Sequence, residues 1–325
     1  MFSESLDTEL WKPATTVPSA IRRTLTALQG DNELQEMDEG DAEKDDASGG
    51  AEVQVLGERY TMISCTCELV RSATQYSSLV RVVPPYRTHD VLVRVVEILK
   101  TFNSRACQLV LGAGALQLPL GLKSISVKNL GGLSRFGSRD DETDEFVALA
   151  MRSLQLVVNA LLPAMERQFE RRLRDGDQGQ LLRHFRHVQS DYTEHVAELR
   201  NKLIAVIDHL IQNGLAQWRV AGAVIPSPTF EQLVKQLGKF HAALDGTLHD
   251  RDIRQLFADV NTRFRTHFRR RCAELGVSPQ DSLTFGLAEQ DYAHYWSTVA
   301  PLLPEFTQST TTTTTPPSLS DILDG

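Results

Sequence analysis

LLRHFRHVQSDYTEHVAELRNKLIAVIDHL, residues 181–210, carries the clearest hydrophobic periodicity in the chain. Its apolar residues Leu181, Phe185, Val188, Tyr192, Val196, Leu199, Leu203, Val206 and Leu210 step by three and four. A near-heptad stripe of that length predicts one long amphipathic helix, laid along a bundle or a partner helix. Gly214, then Pro226 and Pro228, end it and form a connector.

The same helical period recurs on either side. Val91, Val95, Ile98 and Phe102 share one face, with Thr88 or Asp90 placed to cap. Residues 146–173 repeat the pattern through Leu149, Leu154, Val157 and Leu161, with a kink expected at Pro163. Beyond the connector, helices are predicted over about 229–244, 251–275 and 288–302. From Val53 onward the pattern reads as helical, and no segment reads as a paired β-sheet. The expected fold class is all-α.

Four segments follow: a short N-terminal piece (1–30), an acidic, disordered insert (31–51), a helical domain (52–305) interrupted by a polar loop (131–145), and a Thr/Pro-rich tail (306–325) without core-forming capacity. The net charge of −8 sits in the insert. Residues 31–50 hold nine acids and one Lys, leaving 33 basic and 33 acidic residues elsewhere. A neutral body argues against general nucleic-acid binding, which needs a basic surplus. Cys65, Cys67, Cys107 and Cys272 are too scattered for a disulfide framework and read as free thiols of a reducing compartment. The acids of MFSESLDTELWK do not suit a signal peptide.

Three lookalikes of catalytic or membrane motifs fall on residues 101–130. Gly112 and Gly114 lack the third Gly of a dinucleotide turn, position 117 being Gln. Gly121-Leu122-Lys123-Ser124 breaks the Gly-Lys-Ser order of a phosphate loop. The uncharged run 106–122 falls short of the ~20 apolar residues of a membrane span and reads as a buried bend with close helix packing at Gly112 and Gly114. His184, His187, Asp191 and His195 share one helix face that could ligate a metal, yet the face overlaps the apolar stripe, so packing histidines are expected. No GxSxG, HExxH or spaced Cys–His arrangement occurs, and no catalytic residue, cofactor or metal is expected. Arg263, Arg265, Arg269, Arg270 and Arg271 interleave with Phe264 and Phe268, which suits either a solvated helix end or a helix lying on anionic lipid.

FNSRACQLVLGAGALQ (102–117), followed by GLKSISVKNL and later by residues 181–208 and the VIPSP turn at 224–228, resembles the C-terminal region of the vacuolar protein sorting-associated protein 54 family. The residues that match are Phe102, Asn103, Ser104, Arg105, Cys107, Gln108, Gly112, Gly114, Gln117 and Lys123, then His184, Phe185, His187, Asp191, Tyr192 and His195. The resemblance implies an elongated stack of helical bundles of the multisubunit tethering-complex (CATCHR-like) type. It implies a non-enzymatic subunit of the Golgi-associated retrograde protein (GARP) complex, which tethers endosome-derived vesicles at the trans-Golgi network. Implied partners are the other GARP subunits and trafficking proteins such as SNAREs or small GTPases. The implied location is the cytosol and the cytosolic face of the trans-Golgi network and endosomes, by peripheral attachment. Against the family pattern, the N-terminal assembly region is missing, the acidic insert is extra and the polar loop is longer. An adaptor that binds anionic lipid through the Arg-rich helix is the alternative.

Overall fold

The computed structural model describes residues 14, 16–27, 52–111, 140–172, 178–220, 225–304 and 316–324. These form ten helices and one hairpin: α1 (Ser19–Ala27), β1 (Glu52–Val55), β2 (Glu58–Thr61), α2 (Ser64–Ser78), α3 (Thr88–Leu111), α4 (Asp140–Leu156), α5 (Leu162–Glu170), α6 (Gln178–Gln217), α7 (Pro228–Leu244), α8 (Asp250–Leu275), α9 (Ser282–Val299) and α10 (Leu319–Asp324). The chain divides into two compact units, residues 1–199 and 200–325. The all-α expectation holds, with one local exception.

That exception corrects the helical reading from Val53. Residues 52–61 are an antiparallel hairpin, with Val53 opposite Tyr60 and Val55 opposite Glu58. Val53, Val55 and Tyr60 alternate into the core. The two-residue turn between the strands carries φ of 54° at Leu56 and 80° at Gly57. Left-handed backbone at both central positions is the turn geometry that matches strand twist, which the Leu-Gly pair signals through its glycine alone. Leu56 is an L-residue in the left-handed region and is half exposed. Leu56→Asn is therefore expected to raise the melting temperature, by relieving up to ~1 kcal/mol of steric cost. A thermal scan showing no gain would mean that the Leu56 side chain makes compensating contacts.

In the first unit, α2 packs along α3, α4 lies against β2 and α3, and α5 reaches α2. Gln168 of α5 donates its side-chain amide to the carbonyl of Ser77, 3.0 Å away, in the buried joint. The expected break at Pro163 takes the form of a π-helical turn at Val157–Leu161 between α4 and α5. Proline removes a donor and crowds the carbonyl four residues back, and the wider turn accommodates both. The stretch Glu145–Glu170 is long and apolar enough to cross a membrane, but 72% of its most apolar window is buried inside the unit. It is a core helix, with Arg152 in its interior face.

The long helix is observed as α6, 40 residues. Its buried face departs from a strict heptad. Phe185, Val188, Tyr192 and Leu199 are buried as expected, but further on Ile207 and Ile211 are buried while Val206 and Leu210 are half-buried. An α-helix with 3.6 residues per turn drifts against a 3.5-residue repeat, and the covering helices change along its length. Residues before 200 meet α3 and α5, through Tyr192 to Leu99 and the Phe185–Phe169 ring pair. Those after 200 meet α8, through the Arg200–Asp259 and His267–Asp208 pairs, and α7, where Leu233 approaches Gly214.

The second unit encloses an aromatic cluster. Phe264 stacks on Tyr295 with centroids 3.5 Å apart and planes within 10°. Trp218 meets Phe230 edge-on at 5.3 Å and Phe268 at 5.2 Å. His249 and Asp281 cap α8 and α9, each side chain accepting from backbone N–H groups of the first turn. Gly276, at φ 70°, closes α8, where Val277 N–H reaches the carbonyl of Cys272 at 3.0 Å. The tail differs from expectation at its end: α10 buries Leu319 and Ile322 and packs on α8 and α9. Two apolar side chains spaced by three residues suffice to dock one helical turn. The acidic segment 31–51 lies outside the described residues, as do 112–139 and 305–315.

Candidate functional site

The family-matching residues of α3 and α6 meet in one interface of the first unit. On α3, Leu99, Asn103 and Cys107 recur at four-residue spacing and so lie one above another. On α6, Tyr192 is fully buried and donates its hydroxyl to the carbonyl of Leu99 at 2.8 Å. Phe102 is fully buried, Asn103 is 3% exposed, and Phe185 is buried against Phe169. Ser104 and Gln108 face outward, and Arg105 donates to the Gln108 side-chain oxygen at 3.1 Å. Gly112, Gly114, Gln117 and Lys123 lie outside the described residues.

The residues of the histidine face sit in different surroundings. His184 is half-buried with its ring 6.1 Å from that of His89, and desolvation first, then His89, Lys100 and His187, hold its pKa below the usual imidazole value. His187 is exposed, with Nδ1 3.8 Å from Asp191 Oδ1. His195 is half-buried, and its Nδ1 is buried without a partner, as are Asn103 Oδ1 and Glu198 Oε2. Among the described residues no group of three His, Cys, Asp or Glu side chains could hold a metal ion.

The arginines of α8 are engaged within the second unit. Arg271 donates to the carbonyls of Ala216 and Trp218 at 3.2 and 3.1 Å, satisfying acceptors at the end of α6. Arg269 donates to the carbonyl of Ile322 at 2.7 Å and so ties α10 to α8. Arg263 stands 3.6 Å from Asp208, and Arg270 and Arg271 both pair with Glu274. Arg265 is half-buried.

The four cysteines are buried and free. Burial pushes the thiols of Cys67, Cys107 and Cys272 up from 9.0 to about 12, with Glu68 adding to the effect at Cys67 and Glu198 at Cys107. Cys65 is raised as well, by burial and then by Cys67. The folded chain is expected to resist Ellman's reagent at pH 8, and all four thiols to react once it is denatured. Because the folded thiols hold their protons more tightly than unfolded ones, their contribution to stability is present below pH 9 and is lost as pH rises towards 12. Rapid labelling of the native chain would show that these helices open readily.

Two features carry no signal in the periodicity that predicted the helices: Arg152 under the hairpin, and the carboxylate of Asp291. Asp291 is 5% exposed and accepts from the Trp218 indole N–H at 2.8 Å and the Ser227 backbone N–H at 2.6 Å. It thereby joins the end of α6, the start of α7 and the middle of α9.

The family model for Vps54-like protein matches residues 57–136 and 143–210. Vacuolar protein sorting-associated protein 54 of Caenorhabditis elegans is 36% identical over 312 residues, 90% of this chain. Its human counterpart is 35% identical over 292 residues, 89% of this chain. The chain spans 27% of the length of each of these relatives. A solved Vps54 C-terminal domain, 31% identical, aligns with 41% of this chain and 93% of its own length at a TM-score of 0.35.

Proposed function

We propose, from the premise that this chain belongs to the Vps54-like protein family, that it is a non-enzymatic helical domain of a GARP-type tether. In that role it holds endosome-derived vesicles at the trans-Golgi network during retrograde transport. The observation that carries the reading is that the two family-matched blocks are also the two sides of one buried interface. Asn103 and Cys107 come from the first block, and Tyr192, bonded to Leu99, comes from the second. Helices packed in this way give a stable frame whose outer faces are left for partners.

The partners proposed are the other subunits of the complex, with SNAREs or small GTPases of the trafficking machinery at exposed helix faces. The proposed location is the cytosolic face of the trans-Golgi network and endosomes. The alternative of lipid binding through the Arg-rich helix is not favoured, since Arg269 and Arg271 spend their donors on carbonyls of α10 and of the end of α6.

The test is to image the tagged chain with endosomal and trans-Golgi markers and to probe its precipitate for the other subunits. Puncta coincident with those markers, together with co-precipitation, are expected. A diffuse signal without co-precipitation would count against a tether role for this region.

A further inference from the structure

Among the described residues, four of the seven large apolar side chains left exposed fall within eleven positions. Tyr76 is 43% exposed, Leu79 41%, Val82 72% and Tyr86 77%. They occupy the end of α2 and two short 3₁₀ turns, Leu79–Arg81 and Pro85–Arg87, that return the chain to α3. Because α2 and α3 pack side by side, this segment forms one end of a helical pair. Pro84 and Pro85 hold it away from helix. Four exposed apolar side chains so close in the chain exceed the scattered single exposures that are normal on a protein surface.

Charge narrows the occupant. Residues 71–89 contain Arg71, Arg81 and Arg87 and no Asp or Glu, in a body that is neutral outside residues 31–50. Arg71 pairs with Glu68 and Arg87 with Asp90 at 3.0 Å, each from just outside the segment. Arg87 also lies 5.8 Å from the ring centre of Tyr86, so its charge sits beside an exposed aromatic ring. Tyrosines at a water–lipid boundary, aliphatic side chains beyond them and arginines at headgroup level are the composition of a surface that enters an anionic leaflet.

From this we infer that the α2–α3 turn is a membrane-contacting tip, with Leu79 and Val82 entering the acyl boundary and Tyr76, Tyr86, Arg81 and Arg87 at the headgroups of an anionic leaflet. The inference deepens the tether reading and rests on it: it names the surface by which the domain touches a membrane.

The test is flotation of the full chain with phosphatidylcholine vesicles, with and without phosphatidylserine, at low and high salt. The chain is expected to float with the anionic vesicles, and salt to weaken it. Leu79→Ser/Val82→Ser should lower the bound fraction about tenfold, with helical circular dichroism unchanged because both side chains are exposed. Arg263→Ala/Arg270→Ala should leave binding as it was. A second measurement labels Val82→Cys with an environment-sensitive fluorophore, the native thiols being buried, and expects a blue shift on anionic vesicles. No flotation of the unaltered chain, equal flotation with neutral vesicles, or full binding by the Leu79/Val82 variant would overturn the inference. Capture of a protein partner by this turn without any vesicle binding would overturn it too. Co-precipitation of the other subunits is read in parallel: its loss strikes the tether reading, whereas the flotation result strikes only the tip.

Discussion

Arg152→Ala is expected to lower the stability of the first unit by about 3 kcal/mol, the largest loss we expect from a single change there. The guanidinium is 1% exposed and stands over the Tyr60 ring at 3.7 Å. Nε donates to the carbonyl of Arg59 at 3.1 Å, as does Nη2 at 2.5 Å, while Nη1 reaches Glu58 Oε2 at 3.2 Å and Gln155 Oε1 at 3.1 Å. The Tyr60 hydroxyl donates to the same Glu58 oxygen at 3.1 Å. One α4 side chain therefore clamps both the backbone and the side chains of β2. Removing it takes the guanidinium from the Glu58 carboxylate, which keeps the Tyr60 hydroxyl, strips both side-chain donors from the Arg59 carbonyl, and opens a cavity over the ring. The Glu58 side chain keeps a quarter of its surface in water, which holds the cost near the lower end of the range for a broken buried pair. Arg152→Lys should recover less than half of the loss, because an ammonium cannot fork to two acceptors and cover a ring at once. Peptide-resolved hydrogen exchange checks this: protection over residues 52–63 should fall in Arg152→Ala while residues 228–244 keep theirs. Unchanged protection of the hairpin would mean that α1 and α2 hold it without the arginine.

Arg152 also shows where sequence reading ends. The long helix was legible because its stripe repeats over residues 181–210, and an amphipathic period is a local property of the chain. Even there, the switch to Ile207 and Ile211 could not be read from spacing, since it depends on which helices cover the later turns. The hairpin of residues 52–61 has only four residues per strand and a Leu where Asn or Asp would announce the turn, so its alternation merged with the helical pattern that follows. Arg152, in a run of apolar helix, reads as a stray charge until β2 is seen beneath it. Among the site residues, Asn103, Cys107 and Tyr192 were legible as a family pattern, and their burial in one interface follows from the pairing of α3 with α6. The arginines of α8 allow two readings for a physical reason. Clustered charge beside phenylalanine suits lipid as well as it suits helix ends, and the bonds of Arg269 and Arg271 to the carbonyls of Ile322, Ala216 and Trp218 depend on tertiary neighbours that spacing does not show. The apolar turn between α2 and α3 carries no signal in the sequence, since Val, Leu and Tyr in a helical region are expected to be core.

Trp218→Ala should cost the second unit about 3–5 kcal/mol, the second large effect. The indole is fully buried just past the end of α6 and touches Phe230 and Phe268, so truncation opens a cavity between α7 and α8. Polar loss adds to the packing loss. Asp291 would keep the Ser227 N–H at 2.6 Å but lose the indole donor at 2.8 Å, leaving one oxygen of a buried carboxylate without its partner. The two contributions separate by substitution. Trp218→Phe retains most of the ring contact and should cost about 1–3 kcal/mol, chiefly the unmet carboxylate oxygen. If burial of apolar surface dominates, Trp218→Ala will exceed Trp218→Phe by at least ~1 kcal/mol. Urea denaturation read through exchange protection of residues 228–244 and 251–275 measures both. Equal losses for the two variants would instead assign the stability of this joint to the Trp218–Asp291 hydrogen bond. In that case Asp291→Ala should reproduce the whole effect, because it removes the one acceptor that α6, α7 and α9 share.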